Sequence, residues 1–286
     1  MLKFVRAGKA DQDRIGTFLG QFTDDYLIET YPRYLGQYVG GLYMATDGED
    51  LVGVCVISLP KPKEALLSGM RIAPARQGLG LGEEFGRFQL EEARRLGAEV
   101  VRVLVHKDNV QSAHVLQDKL GFEVVDEWAV GEINPLPVPD RASTEAGMAW
   151  AVDQERLLSF VRRFEKDLWS PDGWDPRSVT ASDINFRFER GGIAVSPQRG
   201  EVQAMAFTWL QSRDVLHISY LRVLGQALQG VLDHLWNEAR AWGINRCRFG
   251  VSASVAERMR ALVPNCEITW RGMVLERRLN LLPSEA

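Results

Sequence analysis

The feature that most constrains the fold of this chain is a glycine-rich turn between an apolar segment and an amphipathic one. Residues 65–72 are an apolar run that predicts a buried strand, and Pro74 ends it. Glycines follow at positions 78, 80 and 82, and residues 83–96 repeat apolar side chains at helical spacing. A strand, a glycine turn and a helix start leave backbone N–H groups free to bind an anion. The segment therefore predicts a phosphate-binding turn.

The spacing of the glycines excludes two common phosphate loops. A P-loop requires Gly-x-x-x-x-Gly-Lys-Ser/Thr, and no such lysine is present. A dinucleotide-binding turn requires Gly-x-Gly-x-x-Gly, but Glu83 stands where the third glycine would follow Gly78 and Gly80. An ordinary glycine-rich connection without a ligand is the plain alternative for this turn alone.

Two separate motifs resemble those of the GCN5-related N-acetyltransferase (GNAT) family. Gln77-Gly-Leu-Gly-Leu-Gly82 resembles the pyrophosphate signature Arg/Gln-x-x-Gly-x-Gly/Ala of that family. Farther on, a strand-like segment at 99–106 precedes a short helix that ends in Leu120-Gly-Phe122. The order of the motifs is that of the family, so residues 1–133 resemble a GNAT domain that binds acetyl-CoA. The resemblance implies the cofactor-binding residues Met70, Ile72, Ala73, Gln77, Gly78, Leu79, Gly80, Leu81, Gly82, Asn109 and Gln117.

The resemblance also implies how the cofactor is held, and the sequence departs from it at two places. The pantetheine arm is expected to pair with the backbone around residues 70–73, in a gap splayed open between two strands. The family often has a tyrosine, able to protonate the departing thiolate, where this chain has Gln117, and an amide is not a useful proton donor. Asn109 also lies one residue farther from Gly121 than in the usual pattern.

Two residues are weak candidates for the general base that takes the proton of the amine. Glu64 stands just before the cofactor strand, where nearby prolines and lysines predict a loop. His106 ends the strand beside the cofactor, and histidine changes its charge near neutral pH. Asp24, Asp25 and Glu29 lie near the first helix, where this family often places acceptor-recognition elements. Solvated surface charge is the plainer interpretation of each acid, and deprotonation through water alone is a further alternative.

A group of tyrosines follows the first predicted helix and is expected to cover the acceptor pocket. Their hydroxyl groups are candidates to line that pocket or to supply the acid that Gln117 does not, and core packing is the alternative for most of them. The residues concerned are Tyr26, Tyr31, Tyr34, Tyr38 and Tyr43.

The chain repeats itself. Residues 11–25 recur at 153–167 with six of fifteen positions identical, including Asp25 and Asp167. Downstream, Met70-Arg-Ile72 matches Leu221-Arg-Val223, and residues 92–97 match 238–243. The offset between the copies falls from 151 to 146 across the last two matches, so the second copy has lost five residues where the first has its glycine turn.

The repeat predicts an α/β (α+β) protein of two tandem GNAT folds, each a mixed, mostly antiparallel twisted sheet flanked by helices. Residues 1–133 are expected to be the catalytic, acetyl-CoA-binding domain and residues 134–147 a proline-rich linker. Residues 148–286 are expected to be a degenerate copy without a cofactor site. Two unrelated α/β domains are the alternative.

Composition limits the classes of function. A net charge of −4 with no basic block argues against general nucleic-acid binding. Cys55, Cys247 and Cys266 lie far apart without metal-ligand spacing, so neither a disulfide framework nor a bound metal is expected. The N-terminus does not read as a signal peptide, and no apolar run approaches the length of a membrane span. A cytoplasmic protein without nucleic-acid or membrane partners is expected, as a monomer or a homodimer.

These observations predict an acetyl-CoA-dependent N-acetyltransferase that acts by direct attack of an amine in a ternary complex. The acceptor, expected to be a small molecule, is not identified by the sequence. One alternative is a non-catalytic acyl-CoA-binding or interaction protein, suggested by Gln117 and the absence of a clear base. The other is an acetyltransferase for protein N-termini or lysines.

Overall fold

In a computed structural model the chain folds into two compact units. The structure describes residues 2–138, 146–149, 154–164, 167–198, 200–212 and 214–279. The first unit comprises Met1–Val124 and Val274–Ala286, and the second comprises Val125–Met273. Part of the expected linker, residues 139–145, and residues 150–153 of the expected second domain lie outside the described residues.

The first unit is a twisted sheet with helices on both faces. Its strands lie in the order β1-β2-β3-β4-β5, and every pair is antiparallel except β4 with β5, which is parallel. Its elements are β1 (Lys3–Arg6), α1 (Gln12–Leu19), α2 (Tyr26–Thr30), β2 (Gly41–Asp47), β3 (Asp50–Lys61), β4 (Glu64–Ile72), α3 (Leu81–Arg95), β5 (Val100–His106) and α4 (Val110–His114), which continues as a π-helical turn at Val115–Lys119.

Alternate residues of β3 decide which helix packs on which face of this sheet. Val54 and Val56 pack in a core with Ile15 of α1 and Leu27 of α2. A Cβ atom on Gly53, which points the other way, would lie 2.4 Å from the ring of Phe85 in α3. Helices α1 and α2 therefore cover one face, and α3 covers the opposite face.

The second unit repeats this plan. Its sheet runs β14-β6-β13-β12-β11-β10-β7, with β12 and β13 as a parallel pair. Its elements are β6 (Glu123–Ile133), β7 (Gly147–Met148), α5 (Gln154–Val161), β8 (Leu168–Trp169), β9 (Arg177–Ser178), α6 (Ala181–Glu189), β10 (Ile193–Gln198), β11 (Glu201–Ser212), β12 (Val215–Val223), α7 (Leu228–Ala241), β13 (Arg246–Ser252), α8 (Ala253–Leu262) and β14 (Cys266–Arg278).

The division between the units differs from the boundary expected after residue 133. Strand β6 pairs with β13 from Ile133 to Trp128, so nearly all of β6 belongs to the second unit. Conversely, the last residues of β14, from Val274 onward, belong to the first unit. The sequence pattern marks each strand but not its partner, because pairing between distant segments leaves no local signal.

A buried ion cluster ties the end of β14 into the first unit. Arg102 of β5 donates to Glu276 at 2.8 Å and to Glu64 of β4 at 2.7 Å, and at most 14% of each of these side chains is exposed. The backbone N–H of Leu279 donates to the carbonyl of Glu99 at 2.8 Å. The loop expected at Glu64 was therefore a wrong prediction, since Glu64 is the first residue of β4.

Candidate active site

The parallel pair β4–β5 opens towards its carboxyl end. In the described part of the chain their ladder runs from Glu64 opposite Val100 to Leu67 opposite Val103, although the strands extend to Ile72 and His106. A bulge on the other side of β4 accompanies the opening, because the register against β3 shifts between Ser68 and Arg71. Gly69 lies in the bulge with φ of +59°, a left-handed conformation that favours glycine. The result is a gap between two strand ends.

Side chains take the place of β5 along this gap. The carbonyl of Met70 accepts a hydrogen bond from Nη1 of Arg71 at 2.8 Å, and the carbonyl of Ile72 accepts one from Nε2 of Gln77 at 3.1 Å. Ala73 is already committed, since its N–H donates to Val52 and its carbonyl accepts from Arg76. Backbone contact with a ligand in the gap is thus left mainly to Met70 and Ile72.

The glycine turn lies directly beyond β4. Gly78 and Gly80 both have φ of +77°, and Gly80 is the residue before helix α3. A Cβ atom at Gly78, Gly80 or Gly82 would meet nothing within 4 Å, so the turn has an open side. Among the residues that the structure describes, none accepts a hydrogen bond from the N–H groups of residues 79–82. The helix was expected from residue 83 and starts two residues earlier, at Leu81, directly after the left-handed Gly80.

The other two predicted cofactor contacts lie on the helix after β5. The side chain of Asn109 caps α4 by accepting from the N–H of Ser112 at 3.1 Å. Nε2 of Gln117 donates to the carbonyl of Ala113 at 3.4 Å, one turn earlier. The sequence-predicted role of these two side chains towards coenzyme A stays a prediction.

A cleft opens on the face of β4 that carries α1 and α2. It is an open depression of about 450 Å³, lined by residues 21–26 and Arg71. At its base Arg71 forms a bidentate ion pair with Asp25, with Nη2 to Oδ1 at 2.8 Å and Nε to Oδ2. Burial alone would raise the pKa of Asp25, but hydrogen bonds from Arg71 and from the N–H of Leu27 hold that pKa below its ordinary value. The pair is therefore ionised at neutral pH.

Comparison with known proteins identifies the fold. The model of the acetyltransferase (GNAT) family matches residues 11–122, the part of the chain that contains the gap, the turn and the cleft. Residues 11–122 are a GNAT domain. Proteins of this family use acetyl-CoA as co-substrate. No curated protein sequence matches the chain.

Solved structures extend the likeness to the whole chain. A tandem GNAT protein from the clavulanic acid biosynthesis pathway shares 14% identity, with complete coverage of both chains and a TM-score of 0.52. A GCN5-related N-acetyltransferase from Sphaerobacter thermophilus shares 15% identity, covering 97% of this chain and 95% of its own, with a TM-score of 0.61. One from Anabaena variabilis shares 16% identity, covering 98% and 74%, with a TM-score of 0.54. The expected tandem GNAT fold is confirmed.

The two candidate bases lie far apart in the GNAT domain. Glu64 lies at the start of β4, so at about 3.3 Å per residue it is roughly 26 Å along the strand from Ile72, and it is paired with Arg102. His106 lies at the open end of β5, with its side chain 40% exposed and Nδ1 3.6 Å from a carboxylate oxygen of Asp108. Position therefore favours His106 over Glu64.

The tyrosines of the GNAT domain do not act as one group. Tyr31 and Tyr43 are buried, and the hydroxyl of Tyr43 donates to Glu92 at 2.7 Å. Tyr38 is almost fully exposed. Tyr26 alone among the five lines the cleft, with its ring centre 5.5 Å from the guanidinium carbon of Arg71. Core packing accounts for Tyr31 and Tyr43, as the alternative held.

The second unit has a shorter connection where the GNAT domain has its glycine turn. Four residues, Leu224–Ala227, join β12 to α7, against eight, Ala73–Gly80, between β4 and α3. The carbonyl of Gly225 accepts a hydrogen bond from Nη2 of Arg258 at 2.7 Å. The four missing residues are those that form the glycine turn in the first unit, so the second unit lacks that turn.

The gap between β12 and β13 is also filled by the unit's own residues. The N–H of Ser170 donates to the carbonyl of Ser219 at 3.0 Å, and a Cβ atom on Gly250 would lie 2.4 Å from Cα of Gly173. Arg222 reaches from β12 to Ser252 at the end of β13, with Nη1 to Oγ at 2.9 Å. The second unit thus has its strand ends covered and bridged.

Sequence reasoning missed the ion pair of Asp25 and Arg71 as a feature of the site. Both residues were aligned with their counterparts Asp167 and Arg222, but the two matches were treated as separate markers of the repeat. Arg222 donates to Asp167 with Nε to Oδ1 at 2.6 Å, so the pair recurs as a pair. The signal available in the sequence was an acid and an arginine repeated together.

Neither a metal cluster nor a membrane span is found in the part of the chain that the structure describes. No group of three or more His, Cys, Asp or Glu side chains there is arranged to hold a metal ion. No described helix is both long and apolar enough to cross a membrane.

Proposed function

We propose that the first unit is an acetyl-CoA-dependent N-acetyltransferase for an amine of a small molecule. The observation that carries this proposal is the opening of β4 from β5 directly before a turn with free N–H groups. A strand edge that has separated from its partner strand suits an amide-containing pantetheine arm, and the turn at the start of α3 suits a pyrophosphate. The residues that would hold the co-substrate are Met70 and Ile72 on the strand and residues 77–82 in the turn.

In the proposed reaction both substrates are bound before the transfer. The nitrogen of the amine attacks the carbonyl carbon of the thioester, a C–N bond forms, and the C–S bond breaks. Coenzyme A leaves as its thiolate, and the proton of the amine passes to water or to His106. The negative charge that develops on the carbonyl oxygen requires an N–H donor, for which the unpaired edge of β4 is the source.

The arrangement of the two faces of β4 supports a ternary complex. The turn and α3 lie towards one face, and the cleft of residues 21–26 lies on the other. In the proposed complex a thioester enters the gap between the strand ends from the side of α3, and the amine approaches it from the cleft. The volume of the cleft, about 450 Å³, lies within the size range of small-ligand sites, which supports a small acceptor.

Incubation of the purified chain with acetyl-CoA and a panel of amines tests the proposal. We expect release of free thiol and the addition of one acetyl group to at least one amine, read by mass spectrometry. Binding of acetyl-CoA without any transfer would favour the non-catalytic alternative, and transfer only to peptides would favour the protein acetyltransferase.

A matched pair of variants assigns the turn. Gly82 has no left-handed φ, and a Cβ atom there meets nothing, so Gly82→Ala and Gly82→Asp should both fold. We expect Gly82→Ala to bind acetyl-CoA more tightly than Gly82→Asp by about tenfold or more, since a carboxylate repels the pyrophosphate. Gly82→Ala is the matched control, because it adds a side chain at the same place without the charge. Equal affinity in both Gly82 variants would contradict the assignment of the turn.

A further inference from the structure

Arg71 makes three contacts that join the cleft to the strand beside the thioester. Its guanidinium holds both oxygens of Asp25, and its Nη1 holds the carbonyl of Met70. Asp25 in turn caps α2, since its Oδ1 accepts from the N–H of Leu27 at 2.9 Å. One arginine therefore connects the backbone of β4 at Met70 with the first turn of α2.

This connection is buried and has little freedom to move. The side chain of Asp25 is 6% exposed and that of Arg71 is 24% exposed. Leu27, in the first turn of α2, packs against the bulge of β4, since a Cβ atom on Gly69 would lie 3.3 Å from its Cδ1. The ring of Tyr26 covers the guanidinium on the cleft side. A planar donor fork held by a carboxylate gives a fixed geometry that a lysine ammonium cannot reproduce.

The second unit contains the same pair with a different third contact. Arg71 holds both oxygens of Asp25, whereas Arg222 donates to Asp167 through Nε alone. Its Nη2 reaches Asp126 at 3.3 Å, and its Nη1 reaches Ser252 across the gap between β12 and β13. In the first unit Nη1 turns to the carbonyl of Met70 on its own strand. The aspartate–arginine pair is thus common to both units. Only in the first unit does the arginine also donate to Met70, a residue that borders an open gap.

We propose that Arg71, held by Asp25, is a positioning residue of the acetyl transfer: it fixes the acceptor cleft against β4 at Met70. This inference rests on the acetyltransferase function proposed above. Transfer needs the amine and the thioester within near-attack distance, and a displacement of about 1 Å costs about a hundredfold in rate. Arg71 meets neither reacting atom in this account, and it acts through the backbone of Met70 and through α2.

The test compares Arg71→Lys with Arg222→Lys. We expect Arg71→Lys to lower kcat by about 10- to 100-fold while the Kd for acetyl-CoA changes by less than about threefold, because cofactor contacts lie in the turn and gap. Arg222→Lys removes the equivalent pair from the second unit and should leave kcat within about twofold. Added methylguanidine should restore part of the activity of Arg71→Ala but not of Arg71→Lys, whose ammonium fills the site.

The outcomes separate the two proposals. A wild-type chain that acetylates no amine overturns the proposed function, and the positioning role with it. A wild-type chain that is active while Arg71→Lys keeps its kcat overturns the positioning role alone. Loss of acetyl-CoA binding in step with kcat, or an equal loss of kcat in Arg222→Lys, indicates a general structural role and also overturns it. If Arg71→Lys does not fold, Asp25→Asn, which retains an oxygen to cap α2, takes its place.

Discussion

Single side chains decide which proton routes are open in the first unit. Position 117 carries a glutamine whose amide is bonded to the carbonyl of Ala113 in its own helix. His106 stands at the open end of β5, whereas Glu64 is held by Arg102 at the far end of β4. At this scale the chain offers a candidate base and no clear acid, which is consistent with a thiolate that leaves without protonation by the protein.

We expect Gln117→Ala to keep kcat within about tenfold of wild type, because a general acid typically contributes about 10²- to 10⁴-fold and an amide supplies none. Gln117→Tyr should leave kcat unchanged or raise it. Steady-state kinetics at saturating acetyl-CoA measure both. A thousandfold loss in Gln117→Ala, with acetyl-CoA still bound, would show that the amide takes part in the chemistry.

A buried histidine gives the second unit a pH-dependent stability. Burial lowers the pKa of His217 to about 4, with Asp172 opposing and Arg187 and Arg248 assisting the shift. Its Nδ1 has no hydrogen-bond partner among the described residues. The folded histidine is therefore neutral where the unfolded one takes up a proton, so the free energy of unfolding falls as the pH drops from about 6.5 to about 4.

We expect this loss to amount to about 3 kcal/mol and to be absent in His217→Phe. Urea unfolding at pH 4, 5.5 and 7, followed by tryptophan fluorescence, measures it, because all eight tryptophans lie within residues 125–273. The difference between wild type and variant is the relevant quantity, since Asp126 and Asp167 also titrate in this unit. An identical pH dependence in both proteins would contradict the assignment to His217.

At the scale of elements, one connection distinguishes the two copies of the fold. Both units have a parallel pair of strands followed by a long helix, yet eight residues join them in the first unit and four in the second. The shorter connection has only Gly225 in the left-handed region, where the longer has Gly78 and Gly80. Backbone N–H groups converge on an anion only where the connection is long enough to curve around it. The length of the connection therefore distinguishes a possible phosphate site in the first unit from a plain turn in the second.

We expect one acetyl-CoA to bind per chain, because only the first unit has the turn and the open gap. Isothermal titration calorimetry measures the stoichiometry, and the matched Gly82→Asp variant should abolish the signal rather than halve it. Two equivalent sites per chain, or a residual half in that variant, would show that the second unit binds the ligand as well.

At the scale of the whole molecule, the first unit is built from both ends of the chain. Val274, Leu275 and Glu276 are buried in that unit, and Glu276 shares the ion cluster of Arg102. Removing these residues would leave Arg102 with one carboxylate instead of two and would expose apolar surface of the sheet. The first unit therefore depends on β14, which begins about 160 residues after β5 ends.

We expect a chain that ends at Met273 to lose acetyl-CoA binding while its tryptophan fluorescence keeps a cooperative unfolding transition. Leu275→Ala is the milder version, with an expected cost of about 2–5 kcal/mol to the first unit. The exposed Leu262→Ala in α8 serves as a control that should change little. Acetyl-CoA binding by the shortened chain with wild-type affinity would mean that residues 1–124 suffice.

The sequence by itself determined the elements of this protein and the family of its first unit. Apolar periodicity placed β4 and α3 to within two residues, and the glycine spacing pointed to the GNAT turn, because strand and helix periods and left-handed glycines are local properties. The loss of five residues in the second copy could also be predicted from the sequence, because the first copy gives the length with which the second is compared.

Only the tertiary structure decided which residues meet. The partner of β6, the return of β14 to the first unit and the bond of Arg102 to Glu276 join segments more than a hundred residues apart, and such pairing leaves no mark in local periodicity. The same holds for Arg71: the repeat marked it and Asp25 separately, but their ion pair and the direction of its third hydrogen bond follow from packing. The sequence therefore specified the elements and predicted the place of the cofactor, and the packing of distant segments specified the cleft.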